Sequence, residues 1–217
     1  MPELEQWVLH RLSELDERVR KGYTEYDFQG VFQSVFTFAT VELSSFYFDI
    51  RKDVLYCDGD TLERRSARSV LNHIFVRLTT WLAPVLVFTM EEVWLERYPG
   101  DESSIHLTDM PSTPKTWLNA ELAKKWAVIR QARRAVTAAL ELQRTDKVIG
   151  SSLEASPIVY LEDQETFDIL DSIPFNDVCI TSSVKLSLEK APTTAFSTEE
   201  VKGCLLYTSD AADDDHC

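Results

Sequence analysis

The sequence predicts a mainly α fold: an antiparallel helical bundle followed by a small α+β appendage. Three observations carry this. Apolar residues recur at spacings of three and four along most of the first 150 residues. The chain holds 6 Gly and 8 Pro in 217 residues, few for a fold of strands and tight turns. After Gly150 the pattern changes to short runs of branched and aromatic residues. The expected boundaries are 1–150 for the bundle, 151–203 for the appendage, and 204–217 for a tail of different character.

The first helix shows its stripe in Leu4, Val8, Leu12, Leu15 and Val19. Pro2 suits its first turn, and Arg20, Lys21 and Gly22 suit its end, as cations for the dipole and a glycine cap. A short link, 23–26, predicts an antiparallel second helix capped by Asp27. Its stripe is Phe28, Phe32, Val35, Ala39, Leu43, Phe46 and Ile50, roughly six α-helical turns. That helix ends in the charges Asp49, Arg51, Lys52 and Asp53. Asp60 with Glu63 resembles a capping box for a third helix, which Pro84 stops or kinks. A fourth helix carries Leu86, Met90, Val93 and Trp94 and ends before Pro99.

Residues 101–116 form a loop with Pro111 and Pro114, long for a compact domain. Asn119 caps a fifth helix with Leu122, Trp126, Ile129, Val136 and Leu140 on its apolar face. Arg133 falls near that face, where a guanidinium needs a partner, from a carboxylate or a ligand. Gly150 is expected to relieve a strained turn. Residues 157–161 (PIVYL) read as a strand, 164–170 as a short helix, and 178–188 as a second strand or hairpin.

Charge and composition limit the function. A net charge of −14 argues against a general nucleic-acid binder but leaves room for a local basic face. No apolar run approaches the roughly 20 residues of a membrane span, and the acidic start lacks a signal core, so a cytoplasmic protein is expected. The cysteines, Cys57, Cys179, Cys204 and Cys217, form no C-x-x-C pair. No H-E-x-x-H, G-x-S-x-G or P-loop pattern occurs, and no catalytic or metal site is expected. Glu91 and Glu92 with Asp49 and Asp53 lack the Glu-x-x-His partners of a bundle metal site.

The bases do cluster. Lys124, Lys125, Arg130, Arg133, Arg134, Arg144 and Lys147 make a stripe interrupted only by the acids Glu141 and Asp146. Arg51, Lys52, Arg64, Arg65 and Arg68 make a second group where the second helix hands over to the third. Both would attract phosphates. Most aromatics sit at core spacing, whereas Trp117, beside the loop, is the best exposed stacking candidate.

Three segments in order carry a resemblance: 45–56 (SFYFDIRKDVLY), 81–94 (WLAPVLVFTMEEVW) and 146–155 (DKVIGSSLEA). All three resemble the isoleucyl branch of the class I aminoacyl-tRNA synthetases, in the helical domain that receives the tRNA anticodon stem-loop. The resemblance implies an anticodon-binding bundle in a fragment of a ligase, with the two basic clusters and Trp117 as tRNA contacts. Isoleucine tRNA is the implied partner, and a monomer that binds neither membrane nor DNA is expected. The family's HIGH and KMSKS motifs are absent, so ATP, Mg and any Zn would belong to other parts of the parent enzyme. The equivalent domain of a valyl or leucyl enzyme and a helical protein-interaction module are the alternatives.

The tail contains 204–213 (CLLYTSDAAD), which resembles the in-frame translation of a sequencing adapter. Without its four acids the chain holds 32 acids against 22 bases, a net charge of −10. This tail is expected to bury little.

Overall fold

The computed structural model describes residues 1–192, 196–197 and 204–210. The helices are α1 (Glu3–Thr24), α2 (Phe28–Thr37), a π-helical stretch (Phe38–Phe48), α3 (Asp49–Tyr56), α4 (Leu62–Leu82), α5 (Val87–Arg97), α6 (Ala120–Thr145), α7 (Gln164–Asp171) and α8 (Phe175–Cys179). The strands are β1 (Ala155–Leu161), β2 (Lys185–Ser187), β3 (Phe196–Ser197) and β4 (Cys204–Asp210). The fold is mainly α, as the periodicity predicts. Two compact units divide the chain, Met1–Leu122 and Ala123–Cys217. The division falls early in α6, and the boundary expected near Ser151 lies inside the second unit. Among the described residues no helix is long and apolar enough to cross a membrane.

In the first unit α1 buries its whole predicted stripe, and α2 runs back along it. Gly22 does not cap α1. It lies within the helix, and a Cβ there would stand 2.5 Å from Val31 Cγ2, so the glycine permits close packing. Asp27 does cap α2, accepting from the Gly30 amide at 2.9 Å. The second predicted helix is α2, the π stretch and α3 in continuous succession. Its buried face is Val31, Val35, Phe38, Leu43, Phe46, Tyr47 and Ile50, while Phe28 and Phe32 are exposed. Val35, Leu43, Phe46 and Ile50 are buried as the α period predicts, and the misses Phe28 and Phe32 lie in α2, where Val31 takes the inward place. Thr61, not Asp60, caps α4, its hydroxyl accepting from the Arg64 amide at 3.1 Å. Pro84 ends α4, and Asn119 caps α6 through the Leu122 amide at 3.0 Å.

In the second unit α6 buries Trp126, Ile129, Ala132, Ala135, Val136, Ala139 and Leu140. It ends in a Schellman motif: the Val148 amide donates to the Gln143 carbonyl and the Lys147 amide to that of Arg144. The strained residue is Lys147, at φ 59°, and not Gly150 as the sequence suggests. Gly150 instead donates its amide to Glu154 Oε2 at 2.8 Å. Of the second strand or hairpin expected over 178–188, only a short strand forms. Residues 175–179 make α8, which stops at left-handed Ile180, and only 185–187 remain extended, parallel to β1. The sheet order is β2-β1-β4-β3, with β4 antiparallel to both neighbours. The adapter-like stretch thus supplies a main-chain ladder to β1. Backbone pairing at a sheet edge needs an extended segment more than any particular sequence.

Candidate nucleic-acid interface

The basic residues predicted to act together fall into different environments. Arg51 is held inside the first unit, where Nε and Nη2 donate to the two carboxylate oxygens of Glu5 at 2.6 and 2.8 Å. Glu5 is fully buried and also accepts from the Tyr47 hydroxyl at 3.3 Å. Burial and this carboxylate together push the Tyr47 phenol far up in pKa. Much of the segment 45–56 is therefore structural: Tyr47 and Arg51 exist to hold one buried acid. Arg11 is similarly engaged, donating twice to Glu42 of the π stretch at 2.8 and 2.9 Å.

The rest of that expected cluster lies outside. Lys52 is exposed. Arg64 is half-buried and donates to the Asp58 carbonyl at 2.9 Å. Arg65 is exposed and meets the Asp60 carboxylate at 3.1 Å. Arg68 is exposed, with no ion-pair partner among the described residues.

Arg65, Arg68, Ser69, Asn72 and His73 follow one another at helical spacing along one face of α4. With Arg97, from the last turn of α5, they line an open groove of about 560 Å³. No acid is among these lining residues. By contrast, a groove over α1 and α2 includes Glu14 and Glu42, and one at the end of α6 includes Glu141. The Arg97 guanidinium lies 5.2 Å over the Tyr98 ring, which packs on Trp94 at 4.6 Å. His73 meets the edge of Trp117 at 5.0 Å. Burial first, and then the charge of Arg77, hold the His73 imidazole below its ordinary pKa.

Trp117 is half-buried rather than free. The Arg77 guanidinium lies over its ring at 4.6 Å. Arg77 is itself buried and donates to the Ser112 carbonyl at 3.0 Å and to the Thr113 hydroxyl at 3.3 Å. Glu91 pins the same long loop further back, accepting from the Ser104 hydroxyl and the Ile105 amide. This gives the segment 81–94 a physical role and uses one of the carboxylates considered for a metal.

On α6, Lys124 and Arg134 are exposed, whereas Lys125 and Arg130 are half-buried. Arg133 is half-buried, and its Nε donates to the Val178 carbonyl at 2.8 Å, so a carbonyl is among its partners. Arg144 pairs with Glu141 at 2.7 Å, and Lys147 is exposed at the helix cap. Sequence reasoning missed Asn72, His73, Arg77 and Arg97. The α4 spacing from Arg65 and Arg68 would have found the first two. Nothing local marks Arg97.

A helical bundle offering guanidiniums in an acid-free groove has the surface of a polyanion-binding module. The family model described as the anticodon-binding domain of tRNA ligase matches residues 5–159, and the chain belongs to that family. It is similar to the isoleucine–tRNA ligase of Ruegeria pomeroyi, 63% identical over 203 residues covering 94% of this chain and 21% of that protein. The isoleucine–tRNA ligases of Brucella abortus and Bartonella henselae are 52% and 46% identical, over 94% and 95% of this chain and 21% of each relative. The chain thus spans about a fifth of the length of these relatives.

Proposed function

We propose that this chain is the part of an isoleucine–tRNA ligase that grips the anticodon stem-loop of isoleucine tRNA. The observation that carries this reading is the family match across residues 5–159, joined by the identity to isoleucine–tRNA ligases along nearly the whole chain. Phosphate neutralisation would come from exposed bases, among them Lys124, Arg134 and Arg144 on α6 and Lys147 just beyond its end. Amino-acid activation with ATP belongs to the rest of such a ligase, since the HIGH and KMSKS motifs are absent from this sequence.

The test is binding of the purified chain to an isoleucine-tRNA anticodon stem-loop as salt is varied. Affinity should fall steeply as salt rises, since each phosphate contact adds a slope of about −0.7 on a single strand, and somewhat more on a duplex, in log K against log salt. Replacing Arg134 and Lys147, both exposed, by Gln should flatten the slope by about one to two units while circular dichroism is unchanged. Failure of the unmodified chain to bind the stem-loop would overturn the reading.

A further inference from the structure

We propose that the groove on α4 is a subsite for the sugar-phosphate backbone of an unpaired RNA strand, clamped between Arg68 and Arg97. The proposal rests on the tRNA reading above and goes beyond it by assigning a place and a strand type.

The charge argument comes first. In a chain of net charge −14, this groove is lined by three arginines and no acid, with Asp60 meeting only Arg65. Between α1 and the rod that follows, guanidiniums are consumed by carboxylates, as Arg51 is by Glu5 and Arg11 by Glu42, and within the groove Arg65 meets Asp60 at its rim. Arg68 and Arg97 have no such partner among the described residues. A guanidinium presents five donors in a planar fork that matches phosphate oxygens. Two of them, from different helices and facing one groove, form a clamp.

Pre-organisation comes second. The Tyr98 ring supports Arg97, and Trp94 and Phe75 continue the aromatic packing beneath. His73 is fixed by the edge of Trp117, whose face carries Arg77. Side chains held this way lose less freedom when a ligand arrives.

Size and polarity then select the strand. A groove of about 560 Å³ is of the size that takes a nucleotide-sized group. Held below its ordinary pKa, His73 is neutral at pH 7, and so it offers one donor and one acceptor rather than a charge. With Asn72 beside it, that pair suits a ribose 2′-hydroxyl or an exposed base edge, groups that an unpaired strand presents.

The experiment compares the whole chain with its Arg68→Gln/Arg97→Gln variant. The probes are a single-stranded RNA oligonucleotide of the anticodon-loop sequence, the complete stem-loop, and a blunt RNA duplex. We expect the double substitution to flatten the salt slope for the single strand by about 1.4, two contacts at about 0.7 each. The stem-loop should show the same loss and the duplex none. A 4-thiouridine in the loop of the stem-loop should photo-crosslink to the α4 face of the unmodified protein, a readout that does not depend on the variant folding. Binding by the unmodified chain with an unchanged slope in the variant, or a crosslink mapping elsewhere, overturns the groove assignment and leaves the tRNA reading intact. No binding of any probe by the unmodified chain overturns both.

Discussion

Arginines in the first unit live in two kinds of place. Between α1 and the rod formed by α2, the π stretch and α3, Arg11 and Arg51 are saturated by Glu42 and the fully buried Glu5. On the outer face of α4, Arg68 and Arg97 border a groove with no acid in its lining. The residue type is the same and the consequence is opposite. A guanidinium whose donors are already satisfied contributes to holding helices together, and one that is solvated and unpaired is available to a phosphate. Grouping bases by closeness in sequence merges the two, since Arg51 and Arg68 fall into one cluster that the fold then separates.

The largest test of this contrast is Arg51→Met. It leaves the Glu5 carboxylate buried with only the Tyr47 hydroxyl, and should cost about 3 kcal/mol in denaturant unfolding. Adding Glu5→Met should recover much of that loss, because an apolar pair replaces a broken ionic one. Salt dependence of RNA binding by the folded protein should not change. A changed slope with normal stability would place Arg51 on the RNA side of the division.

Arg77→Met sharpens the middle ground, since Arg77 is buried but binds loop groups instead of a carboxylate. It removes the hydrogen bonds to the Ser112 carbonyl and the Thr113 hydroxyl and the charge over Trp117, and should cost about 1–3 kcal/mol. Hydrogen exchange should quicken over residues 112–117. Unaltered exchange there would mean that Arg77 does not anchor the loop.

The smallest effect concerns pH. The His73 pKa is lowered in the folded state by burial and by Arg77. The unfolded chain therefore takes up this proton first as pH falls below about 6.5. The contribution of His73 to stability is complete above that value and is lost as pH falls towards the folded-state pKa. His73→Gln should flatten the acid limb of the stability curve below about pH 6.5 and leave it unchanged above. An identical acid limb in the variant would show that the imidazole is not held neutral beside Arg77.

Element types and several caps were legible in the sequence because they depend on local chemistry. The α1 stripe, the Asp27 and Asn119 caps, the stop at Pro84 and the strand at 155–161 all follow from neighbours a few residues apart. The inward face of the second helix followed at Val35, Leu43, Phe46 and Ile50 but not at Phe28 and Phe32, and the π stretch itself was not legible, since no glycine or proline announces it. The α8 turn was missed, and the strand expected over 178–188 shortened to β2, because a loose alternation fits a strand until left-handed Ile180 interrupts it. The interface was half legible. Arg65 and Arg68 stood out as charge, but Arg97 joins them only through the packing of α5 on α4.

The π stretch has one more consequence. A residue on an α-helix advances about 100° around the axis. Removing one residue anywhere in Phe38–Phe48 would let the segment relax into ordinary α geometry and swing everything beyond it by about that angle. Ile50 would leave the core and Arg51 would face away from Glu5. Length in this stretch is therefore a phase setting: the rod reads out its register at the far end, as a keyed shaft does. Among related chains, a gap within these 11 residues would be ruinous, while gaps in the loop before α6 would be absorbed.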